Sequence, residues 1–143
     1  MNKFWLLSFM FLLSACQPST PDPNLEVTLT FINDQAQDWI LESVTGASDV
    51  GTIGAKDTAL TLSINTRYTI VNKGGAGHPF QLLNSNIILL SELGGGSFEN
   101  DPEVNFEDSN DSISFTLTQA LADVLDSYNC AFHSAMSGDI DSK

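Results

Sequence analysis

Positive charge is scarce in this sequence. Five lysines and arginines stand against eighteen aspartates and glutamates, a formal charge of −13. A duplex-binding surface needs a basic face to neutralise phosphates, and so few scattered cations cannot make one, which excludes nucleic acid as a partner. Anionic lipid would be repelled by the same surface. Long apolar runs are also missing. The longest stretch, residues 4–13, is about half of the roughly 20 residues that span a bilayer. There is no internal repeat, and only two histidines and two cysteines are present.

The stretch at residues 4–13 follows a single positive charge, Lys3, and has the length of the apolar core of a secretory signal. It ends in Leu13-Ser14-Ala15-Cys16, small residues directly before a cysteine, which resembles the lipobox of bacterial lipoproteins. The resemblance implies a signal peptide over residues 1–15, acylation of the Cys16 thiol, and Cys16 as the first mature residue. Gln17 follows where an aspartate would mark retention, which implies the outer rather than the inner membrane of a Gram-negative envelope, facing the periplasm. An ordinary signal peptide with Cys16 as a spare thiol is the alternative. Residues 16–24 hold three of the five prolines and read as a tether, of which residues 17–24 reach roughly 25 Å at about 3.1 Å per residue. Without Lys3, four basic residues face eighteen acidic ones, a formal charge of −14.

Residues 25–143 are then one domain, large enough for a real core. Their dominant pattern has period two. Leu25, Val27, Leu29 and Phe31 alternate with Glu26, Thr28 and Thr30; Leu60, Leu62 and Ile64 repeat the pattern, as do Tyr68 and Ile70, and Ile113, Phe115 and Leu117. Residues 39–44 and 79–83 are further candidate strands, and residues 87–90 form a continuous apolar run suited to a strand buried on both faces. Only residues 118–126 show helical spacing, with Leu121, Val124 and Leu125 on one side. The expectation is an all-β fold: a two-sheet antiparallel Greek-key sandwich of seven or eight short strands, with a short helical segment before the C-terminal loop.

If Cys16 is acylated, Cys130 is one free thiol in an oxidising compartment. Either it is buried and inert or something occupies its sulfur. It lies in Tyr128-Asn129-Cys130-Ala131-Phe132-His133-Ser134-Ala135-Met136-Ser137-Gly138, where a thiol, an imidazole and a thioether fall within seven residues. A thiolate with two imidazoles and a long axial thioether is the ligand set of a blue-copper electron-transfer site. The second imidazole could only be His78, which ends the glycine-rich loop Gly74-Gly75-Ala76-Gly77. Read singly, Met136 is core filler and each histidine a surface or satisfied core residue. A Cys-His pair could also be a nucleophile and its base or part of a zinc site. Those two leave Met136 without a role.

Residues 128–138 resemble the C-terminal copper loop of cupredoxins, the family of plastocyanin, amicyanin and azurin. The spacing Cys130-x-x-His133-x-x-Met136 resembles that of amicyanin, Gly138 and Tyr128 also fit, and Asn72 followed by five residues and His78 resembles the first-histidine loop of plastocyanins. The likeness spans residues 25–143, with these two loops its specific parts. It implies one type 1 copper held by His78, Cys130, His133 and Met136. It also implies an electron exit through the His133 ring edge, in an uncharged patch of Phe132, Ala135, Pro79 and residues 74–77. One departure is Pro79, where family members often carry an asparagine that ties the two ligand loops. Proline supplies neither that side chain nor an N–H toward the Cys130 sulfur.

With both histidines on one copper, none remains for a second copper centre or for acid–base work, so an enzyme is not expected. The resulting expectation is a one-electron carrier between redox proteins of the cell envelope, attached to the membrane by its lipid alone. A copper storage or delivery protein is the alternative, and a structural lipoprotein with incidental metal binding a third reading. Residues 99–111 place six carboxylates in thirteen positions. They read as a solvated loop, a calcium loop, or an acidic face that steers a basic partner such as a cytochrome.

Overall fold

The computed structural model describes residues 25–109 and 111–143. The expected signal peptide, Cys16 and the proline-rich tether lie outside them. Within the described residues, two five-stranded sheets form. One runs β2 (Asp38–Thr45), β1 (Glu26–Asp34), β4 (Arg67–Asn72), β8 (Ser112–Thr116), β7 (Glu107–Asp108). The other runs β3 (Leu60–Leu62), β10 (Ser137–Ser142), β9 (Ser127–Cys130), β5 (Phe80–Asn84), β6 (Ile87–Ser91). The all-β, two-sheet sandwich is as the alternation indicated. Both sheets are mixed, however: β1 runs parallel to β4, and β3 parallel to β10. Period-two alternation specifies which face of a strand is buried and is silent on the direction of its neighbour.

The inward rows meet in one core. Val27, Leu29 and Phe31 of β1 face inward with Tyr68, Ile70, Ile113 and Phe115, all at most 1% exposed. Burying such a side chain contributes about 1.5–3 kcal/mol. At one end of the sandwich the core is aromatic. Phe80 packs against Phe31, Trp39 and Tyr128 with centroids 5.2, 5.3 and 5.4 Å apart.

Two expectations are corrected. Residues 87–90 are not a strand buried on both faces. They belong to β6, at the sheet edge, where Ile87 is 62% exposed while Leu89 and Leu90 are buried. The chain then folds back over that edge, with Ser97 N–H donating to Ile88 O (3.1 Å) and Phe98 N–H to Leu89 O (3.0 Å). Gly96 lies so close to the Leu89 carbonyl that a Cβ there would sit 2.3 Å from its oxygen. The helical segment is also shorter than its spacing suggested: α1 covers Gln119–Ala122, capped by the Thr118 hydroxyl accepting from Leu121 N–H (3.2 Å). Leu121 and Leu125 are buried as the spacing indicated. No helix among the described residues is long and apolar enough to cross a membrane.

Candidate metal centre

His78 follows a 3-10 turn at Gly75–Gly77 and precedes β5; Cys130 ends β9; His133 and Met136 lie in the loop leading to β10. β5 and β9 are hydrogen-bonded neighbours with Phe80 opposite Cys130. The two ligand-bearing segments therefore emerge at the same end of the same sheet.

One donor atom from each of His78, Cys130 and His133 lies within 4.8 Å of the others. Cys130 Sγ is 3.5 Å from His133 Nδ1 and 3.9 Å from His78 Nδ1, while Met136 Sδ is 3.2 Å from His78 Nδ1. Both imidazoles thus turn Nδ1 toward the sulfurs. Cys130 and Met136 are buried, at 1% and 0% exposure. Burial first, and the neighbouring His133 second, holds the His78 pKa below its ordinary 6.5. A neutral imidazole is a ready metal donor, so protons compete for His78 only in more acidic solution.

The backbone locks this loop. Cys130 N–H donates to Met136 O (2.9 Å), and Met136 N–H to His133 O (3.0 Å). The tie between ligand loops that Pro79 cannot make through a side chain or an N–H runs through its carbonyl, which accepts from Ala131 N–H (2.9 Å). Asn72 supports the other side: its Nδ2 donates to His78 O (2.7 Å) and Glu92 Oε2 (2.8 Å), and its Oδ1 accepts from Gly74 N–H (2.8 Å). Glu92 Oε2 also accepts from Phe80 N–H (2.8 Å), and burial raises the Glu92 pKa against the pull of these bonds.

Glu92, Trp39 and Asn33 are the supporting residues that sequence reasoning missed. Trp39 meets the His78 ring edge-on, with centroids 6.2 Å apart at 73°. Asn33 lies 3.3 Å from His78 Nε2. Only Asn33 carried a signal: it continues the inward row of Val27, Leu29 and Phe31, where an apolar residue would be expected.

Of the expected exit patch, Phe132 is 60% exposed, Ala135, Ala76 and Gly77 are exposed, and His133 is half-buried. Pro79 is buried, and its carbonyl accepts from Ala131 N–H just past the end of β9. The acidic segment is partly structural. Glu99 accepts from Ser91 N–H (3.1 Å) and Gly95 N–H (2.9 Å), Asp101 from Glu103 N–H (2.9 Å), and Glu107 pairs with Arg67 (2.8 Å). Every lysine and arginine among the described residues is paired: Lys56 with Asp34 and Asp38, Arg67 with Glu107, Lys73 with Glu42, Lys143 with Asp49.

A thiol and two imidazoles converging from two braced loops, with a buried thioether beside them, fit a single copper ion of the type 1 kind. No protein-family model matches the chain, and no curated protein matches it. Among solved structures it is similar to the copper protein rusticyanin at 14% identity and a TM-score of 0.43, over 82% of this chain and 76% of that one. Reduced rusticyanin matches at 13% identity and 0.42, over 82% and 78%. Rusticyanin from Thiobacillus ferrooxidans matches at 16% and 0.42, over 83% and 78%. At such identity and superposition the site rests on its own residues.

Proposed function

We propose that this chain is a cupredoxin: a mononuclear blue-copper carrier that passes single electrons between proteins of the cell envelope. The observation that carries this reading is the convergence of His78, Cys130 and His133 donor atoms within 4.8 Å, with Met136 Sδ 3.2 Å from His78 Nδ1. His78, Cys130 and His133 would hold the metal, with Met136 as a further, weaker donor. Bound there, copper would supply a one-electron couple that thiolate and imidazole donors tolerate in both oxidation states. The loop hydrogen bonds tie the donor-bearing segments to one another, which favours a centre that changes little between those states. Burial of Cys130 and Met136 weighs against storage and delivery, which need donors an acceptor can reach. Both histidines face the same thiol, so neither is free to act as an acid or base on a substrate.

The proposed exit is the His133 edge among Phe132, Ala135 and Ala76. A basic redox partner, such as a cytochrome, suits a surface whose described cations are all paired with carboxylates. Acylated Cys16, with the tether at residues 16–24, is the proposed attachment to the envelope membrane, the outer membrane by its lipobox context. The test is a visible spectrum of the copper-loaded protein after oxidation. Intense thiolate-to-copper absorption that disappears in Cys130→Ser is expected; a colourless oxidised form overturns the reading.

A further inference from the structure

Asn33 occupies an unusual place for a polar residue. It is next to last in β1, and the alternation that turns Val27, Leu29 and Phe31 into the core turns Asn33 inward as well. Its partner across the hairpin is Trp39. These paired residues both reach His78: the indole packs on the ring, and the amide lies 3.3 Å from Nε2. The end of the β1–β2 hairpin is thus a holder for one imidazole, built on a different sheet from the strands that carry the donors.

The hydrogen bonding at this contact depends on the metal. His78 turns Nδ1 toward Cys130 and Met136, so a metal would take Nδ1. A neutral imidazole bound through one nitrogen carries its proton on the other, and that N–H is ordinarily held by a carbonyl or carboxylate. Among the described residues, the side chain at hydrogen-bond distance from Nε2 is the Asn33 amide. Yet the Asn33 nitrogen also donates to Gln35 O at 2.8 Å, so in this arrangement the atom facing Nε2 is a donor. A donor suits an unprotonated Nε2. Against a protonated one, two N–H groups would oppose each other. The amide can resolve this by turning over, presenting Oδ1 to Nε2–H and releasing Gln35 O, since its oxygen and nitrogen have nearly the same shape. Gln35 is exposed and in the left-handed region (φ 54°), at the hairpin turn, so water can replace the lost partner.

We infer that Asn33 is a positioning residue of the metal centre, whose side-chain amide turns over on metal binding to accept the His78 Nε2–H. Fixing that proton orients the ring and raises its basicity toward the metal. Removing such a partner typically costs about 10- to 100-fold in metal affinity. The inference rests on His78 being a ligand, as proposed above.

The test compares wild type, Asn33→Asp and Asn33→Leu, with Cu(I) as the probe because it is diamagnetic. Affinity is measured by competition with a chelator, and the imidazole N–H and the Asn33 amide are followed by NMR with and without metal. In wild type, Cu(I) should produce a slowly exchanging Nε2–H resonance and shift the Asn33 amide signals. Asn33→Asp, which keeps an acceptor and cannot donate to Gln35, should retain both the protected proton and the affinity. Asn33→Leu should lose the protected proton and bind about 10- to 100-fold more weakly. Were Asn33 only a turn residue, both variants would lose the Gln35 bond and fall equally in melting temperature, with affinity and protected proton unchanged; that result overturns the inference. Wild-type protein that takes up no Cu(I) overturns the copper reading itself.

Discussion

Tyr128 lies flat over Gly138. The two residues stand opposite each other in the β9–β10 pair, and a Cβ on Gly138 would fall 2.5 Å from the phenol oxygen and 2.6 Å from two ring carbons. The same end of the ring is pinned, because its hydroxyl donates to Thr58 O at 2.9 Å. It also stacks on Phe80 with centroids 5.4 Å apart, one residue-pair below the donor cluster. The flat fit of ring on glycine fixes the pairing that brings Met136 back toward Cys130.

Gly138→Ala must therefore push the ring aside or open the strand pair. Overpacking of this kind costs about 1–3 kcal/mol. The expected result is a lower melting temperature together with weaker copper retention, read by thermal unfolding and metal analysis. Unchanged stability would mean that the ring can shift freely.

Met136 is buried and close to His78 Nδ1. As a weak thioether donor it would tune the potential more than it would hold the metal. Met136→Leu is expected to keep the colour and raise the potential, because a donor to the oxidised metal is removed. Met136→Gln should lower it, because an amide oxygen is a harder donor. Voltammetry decides; equal potentials in all three proteins would make Met136 core packing alone.

Glu92 gives a pH dependence with a definite sign. Its pKa in the folded chain is raised above the ordinary 4.5 by burial. The folded state then binds the proton more tightly than the unfolded state, so this group's contribution is best below 4.5 and falls as pH rises through the raised value. Urea unfolding of metal-free wild type and Glu92→Gln across this range should show wild type losing stability relative to the variant as pH increases. A constant difference would show that Glu92 titrates normally.

Anchoring is tested by Cys16→Ala. Loss of the acylation site should leave the chain unprocessed or release it from membranes, read by fractionation and mass of the mature protein. Wild-type fractionation would rule out the lipobox reading.

Acidic steering predicts a salt dependence. Electron transfer to a basic cytochrome should slow as ionic strength rises from about 0.01 to 0.15 M, as the screening length contracts from about 30 to 8 Å. Stopped-flow rates that stay flat would point to docking through the uncharged patch around Phe132 alone.

Much of this protein is written locally in its sequence. Alternating apolar residues specified β1, β4 and β8, because one buried face imposes period two on the strand that makes it. The three donors in residues 130–136 were legible because coordination chemistry restricts which side chains can share one metal, and His78 was the only other imidazole. β9 and β10 escaped for a matching reason: β10 buries Ile140 alone, and β9 only Tyr128 and Cys130, too few positions to display a period. The parallel pairing of β1 with β4 and of β3 with β10, the edge position of β6, and the burial of Pro79 depend on which segments become neighbours. No local pattern encodes that. The supports of His78 are of the same kind: Asn33 and Trp39 are remote from it along the chain and act on it only once both sheets have closed, as does the bond that Glu92 makes to Asn72. The donor types were set by chemistry that a short segment can state, and their orientation by contacts that exist only in the folded protein.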